Sequence, residues 1–174
     1  MRTLLYLGVV ALLAQAEIVD RIAIRVGNKI ITASEVELRV RLAAFQNHEK
    51  AETTAANRRE AARQLVDQRL VEREMELGHY PRLEAEKRAR LLPAYAAQFY
   101  SSDAGALGAA LANYGITPAE LEEDLARQAD LLTFLGLRFR INEDVGKADA
   151  DLDVWVRDQR GRTVIEYLQK ELAP

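Results

Sequence analysis

The chain has 174 residues, enough for one domain with a core of its own or for two very small ones. Its 24 Lys and Arg against 27 Asp and Glu give a formal charge of −3, which leaves no basic footprint for nucleic acid. Cysteine is absent, so disulfides, thiolate metal ligands, a cysteine nucleophile and a lipidated cysteine anchor are excluded.

Arg2 opens the chain, an apolar run follows from Leu4 to Ala14, and Ala14-Gln15-Ala16 closes it with small residues around a polar one. That order predicts a signal peptide over residues 1–16, cleaved after Ala16. The run is shorter than the ~20 residues needed to span a bilayer. No later stretch approaches that length, so an exported chain beginning at Glu17, without stable membrane insertion, is expected.

Residues 20–41 organise the rest of the chain. Ile22, Ile24 and Val26 alternate with Arg21, Ala23 and Arg25, the period of a half-buried strand. Gly27-Asn28 supplies a hairpin turn, and Lys29-Ile30-Ile31-Thr32 returns as a second strand rich in β-branched residues. Thr32-Ala33-Ser34-Glu35 has capping-box spacing, so a helix starts there. Val36, Val40 and Phe45 form its apolar stripe, widened by Leu38 and Leu42.

Asn47 to Asn57 reads as a polar connection. A second helix is expected over about residues 58–77, with Ala62, Leu65, Val66, Arg69, Leu70 and Arg73 at helical steps and Gly78 as its stop. A third segment over about residues 83–100 contains Pro93, which kinks or divides a helix. Ser101-Ser102-Asp103 offers a cap for a short Ala/Leu helix over residues 105–114. Thr117, Pro118 and Glu120 form the clearest helix start, a second capping box with proline at the first helical position. Glu122, Glu123 and Asp124 favour the positive end of that helix dipole, which accounts for them without an acid/base role. Leu121, Leu125, Leu132 and Leu135 are expected to point inward along a helix reaching Phe139. Asn142 to Asp151 reads as a linker. Leu152, Trp155, Val156 and Gln159 mark a final amphipathic helix, and residues 162–168 a strand able to pair with the opening hairpin.

The sequence offers little catalytic machinery. His48 and His79 stand alone, without a second histidine at ligand spacing, so no metal site is expected. There is no Gly-x-Ser-x-Gly elbow, and Gly105-Ala106-Leu107-Gly108 lacks the lysine and preceding strand of a phosphate loop. The expectation is a protein without cofactors that is not an enzyme.

The opening from Val19-Asp20-Arg21-Ile22 to Ser34-Glu35-Val36-Glu37, just after a signal peptide, resembles the start of SurA-type periplasmic chaperones. The closing helix and strand, residues 152–168, resemble the end of the same N-terminal chaperone region. The resemblance implies one domain over residues 17–174, mainly α, with four or five helices, a small β-hairpin and a C-terminal strand. It also implies an ATP-independent periplasmic holdase whose partners are unfolded outer-membrane or secreted polypeptides. The family's parvulin-type prolyl isomerase needs about 100 residues of its own. Only a short linker separates Arg140 from Asp151, so that activity does not carry over. Phe45, Tyr95, Phe99, Tyr100, Tyr114 and Phe134 are the candidate client-binding residues of an apolar groove. The alternative is a non-catalytic adaptor whose apolar surface meets one dedicated periplasmic partner or a second copy, as a homodimer.

Overall fold

The computed structural model describes residues 20–139 and 145–174. The predicted signal peptide, residues 1–16, lies outside them. Strand β1 (Ile22–Val26) turns through Gly27-Asn28 into β2 (Lys29–Thr32). Only Gly27 takes a positive φ in that turn, +58°, where glycine carries no Cβ penalty. Between Ile22 and Ile24 the β1–β2 register shifts, and Ala23 and Ile24 are consecutive yet both fully buried. Strand β3 (Ile165–Tyr167) pairs antiparallel with the other edge of β1, giving the order β2-β1-β3. The opening hairpin and the closing strand are thus tied together as the sequence predicts.

Helix α1 (Ala33–Gln46) follows β2 without a loop. Glu35 N–H donates to the Thr32 hydroxyl at 3.3 Å, and Thr32 N–H donates to the Glu35 carboxylate at 2.8 Å, which completes the capping box. Helix α2 (Ala55–Leu77) begins three residues before the expected start, because Thr54 caps it through Asn57 N–H. The segment containing Pro93 is divided into a single turn, α3 (Ala85–Arg88), and α4 (Leu91–Phe99). Its break falls at Ala89-Arg90, so Pro93 lies in the first turn of α4, where it displaces no internal hydrogen bond. Asp103 caps α5 (Ala104–Asn113), and the Thr117–Glu120 box opens α6 (Pro118–Phe139). Helix α7 (Val145–Arg162) starts well before Leu152, so residues 145–151 are helix and not linker. The first residues of the expected linker, 142–144, lie outside the described part. Among the described residues there are six helices of nine residues or more plus the α3 turn, not four or five.

Two cores share this frame. The first joins the inner face of the sheet to α1, α2, α6 and α7, with Ile24, Ile31, Val36, Val66, Met75, Phe134 and Trp155 among its members. The second lies at the far end of α1, where Leu42 and Phe45 meet Ala96, Leu107, Leu111, Ile116 and Leu121. Helix α6 serves both, with Leu121 in the second and Phe134 and Leu135 in the first. At 100° per residue, Phe134 stands about 220° around the helix from Leu121. The buried stripe therefore rotates along α6. Leu132, expected to point inward on a single stripe, is 69% exposed as a result.

Candidate functional site

Five of the six aromatic residues singled out in the sequence come together. Phe45 packs edge-on against Tyr114 with ring centroids 5.5 Å apart, and lies 6.2 Å from Tyr95. Tyr95 in turn meets Phe99 at 4.7 Å and Tyr100 at 6.4 Å. The cluster arises because Tyr95 and Phe99 lie four residues apart on α4, facing the last turn of α1. Its members are unequal. Phe45 is 2% exposed and belongs to the second core, whereas Phe99 is 52% exposed. Tyr95, Tyr100 and Tyr114 are half-buried, and burial holds the Tyr95 phenol above its usual pKa. Tyr114 donates its hydroxyl to Glu49 O at 2.9 Å, which fastens the cluster to the connection after α1.

Phe134 stands apart. It is fully buried in the first core against Tyr80, Phe139 and Trp155. Phe45 and Phe134 are therefore packing residues, and the expectation that they line an open groove is corrected. Large aromatic rings at helical spacing gain most from complete burial, which is what both achieve.

A concave surface with an apolar floor lies elsewhere. A cleft of about 240 Å³ opens between α2, α6 and α7, and none of the six aromatics lines it. Its floor is Val71 and Met75 from α2, Leu131 from α6, and Leu152 and Val156 from α7. Val71 with Met75, and Leu152 with Val156, are four-residue pairs that helix geometry places on one face. The α7 pair is visible in the sequence as an amphipathic stripe. Nothing in it indicates that the stripe is only partly covered by α2 and α6.

Charged side chains ring this floor, and they are matched to one another. Arg82 donates to Asp130 at 3.1 Å and Arg63 to Asp67 at 3.4 Å, while Arg160 and Arg69, from outside the lining, hold Asp67 at 2.7 Å and Glu72 at 3.1 Å. Asp124, which the sequence suggests as a dipole charge, is instead 2% exposed at the α1–α6 contact. It accepts from Arg39 at 2.8 Å, Gln46 at 2.9 Å and Gln128 at 2.8 Å. The rim is thus electrically balanced, so the cleft offers an apolar floor and polar walls without a dominant charge. Among the described residues no group of three or more His, Asp or Glu side chains converges as a metal site would. Nor is any described helix long and apolar enough to cross a membrane. A scan against protein-family models finds no match for this chain, and a search of curated proteins finds none either.

Proposed function

We propose that this protein is an ATP-independent holdase of the periplasm, which keeps unfolded outer-membrane or secreted polypeptides from aggregating and has no catalytic activity of its own. The observation that carries the reading is the cleft between α2, α6 and α7. Its volume of about 240 Å³ accepts one or two apolar side chains of an extended segment, not a folded domain. Its balanced rim imposes no charge preference on what binds, which suits clients of varied sequence. The half-exposed Tyr95–Phe99–Tyr100 cluster supplies a second apolar contact on the same chain. Binding at such shallow sites is weak and reversible, as release of a client requires.

The reading is tested by light scattering from a denatured outer-membrane β-barrel protein diluted into buffer with the purified protein. Suppression of aggregation at near-stoichiometric ratios without ATP is expected. The double substitution Leu131→Gln, Leu152→Gln changes the half-buried floor and should abolish suppression while circular dichroism stays native. No suppression by the folded wild-type protein would overturn the holdase and favour an adaptor with one dedicated partner.

A further inference from the structure

The solvent side of the three-stranded sheet carries an unusual set of residues. Register places Ile30, Arg25 and Glu166 side by side across β2, β1 and β3. Arg25 and Glu166 form an ion pair at 2.9 Å, with both side chains about half exposed. Around that pair stand Ile22, Ile30, Val164 and Leu168, between 41% and 69% exposed. Among the described residues no element covers this face. Solvated sheet faces ordinarily alternate toward polar residues, so an apolar perimeter around one ion pair marks a contact surface.

We propose that this face docks against the same face of a second copy of the chain, across a two-fold axis lying between β1 and β3 and parallel to them. That operation lays Arg25 of each copy over Glu166 of the other. The two ion pairs then interlock as a square of alternating charges, and no charge is buried without an opposite neighbour. It also brings Leu168, whose N–H donates to Ala23 O, toward the Ile22 end of the partner's β1. An apolar client segment would cover Arg25 and Glu166 and offer them nothing, and an anionic surface would meet Glu166 unfavourably. A partner with the reversed order of charges gives each of them a second opposite neighbour, and the face itself has that order when rotated.

The patch is small. Strands of five, four and three residues, at ~3.3 Å per residue and ~4.8 Å spacing, cover about 200 Å². A standard interface covers about 800 Å² per partner, so the dimer forms and exchanges quickly and is set by concentration. Charge order supplies its specificity.

Sedimentation equilibrium of the protein purified after expression of the full chain, from ~1 μM to ~1 mM, reads this directly. The weight-average mass should rise toward twice the monomer value. Arg25→Glu leaves two acidic groups on the face, and Glu166→Arg leaves two basic ones, so each variant alone should remain monomeric. Mixed in equal amounts they should associate again, because the acidic face then meets the basic one. A wild-type protein that stays monomeric throughout overturns the proposal, as does a mixture that fails to associate. Should either charge variant prove unfolded, Leu168→Ser, at an exposed position, takes its place. It should raise the dissociation constant at least ~10-fold, and unchanged association would overturn the proposal equally.

Discussion

Asp124 links the two helices that run through both cores. Helix α1 gives Val36 and Val40 to the first core and Leu42 and Phe45 to the second, and α6 is divided in the same way. The Asp124 carboxylate of α6 accepts from Arg39, beside the first set, and from Gln46, just past the second, both on α1. Its side chain is 3% exposed and that of Arg39 is 16% exposed, so water screens this pair little. Replacing Asp124 by alanine leaves the Arg39 guanidinium without its anion in a poorly hydrated site. A loss of about 3–5 kcal/mol in a urea melt is expected. The double substitution Asp124→Leu, Arg39→Met removes both charges and should cost distinctly less than the single one. If the double variant is instead the less stable, the ion pair is a net source of stability in its own right. The sequence could not reveal this role, because four neighbouring carboxylates at a helix start look alike until α1 covers one of them.

At the level of elements, what needs only a few neighbouring residues is legible. The boxes at Thr32 and Thr117 name their own partners within four residues, and both helices start there. Thr54 lacks the Glu or Gln that completes such a box, so the sequence places the start of α2 too late. Gly78 stops α2 as expected but for a different reason. Its φ is ordinary while His79 takes the positive one, and a Cβ at position 78 would lie 2.5 Å from the Tyr80 ring. The first turns of α7 carry no apolar stripe to announce them. The Thr117 box also makes a pH prediction. Glu120 accepts from Thr117 N–H at 2.6 Å and from its hydroxyl at 2.8 Å. The backbone hydrogen bond first, and the hydroxyl after it, hold the carboxyl below its ordinary value of 4.5. A carboxyl whose pKa falls on folding stabilises the fold above its unfolded value, and that contribution is lost as pH drops through the folded one. Glu120→Gln should therefore melt below the wild type at pH 7, and the gap should close by about pH 3. An equal gap at both pH values would show that the ionised form contributes nothing.

For the whole molecule, the sequence announces which residues are apolar but not which apolar surfaces stay open. The aromatic cluster forms because its members lie near the ends of α1, α4 and α5. The cleft depends on three helices far apart in sequence leaving a gap, a property of no single stripe. The same distribution of packing should make the two cores one cooperative unit. Leu172, in the last 3-10 turn, is 2% exposed in the first core, against α2 and far from the second core. Leu172→Ala should lower stability by about 2–5 kcal/mol. Trp155 is the only tryptophan and reports the first core; Tyr95, Tyr100 and Tyr114 surround the second, while Tyr80 and Tyr167 pack on the first. Because α1 and α6 run through both, a defect at Leu172 cannot release one core and spare the other. In a Tyr80→Phe, Tyr167→Phe background, which leaves the tyrosine signal to the second core, tryptophan fluorescence and the tyrosine signal in urea should shift to lower midpoints by the same amount. A tyrosine midpoint that stays at the wild-type value would mean that the α4–α5 end folds as an independent unit, and that Asp124 joins two modules instead of sealing one.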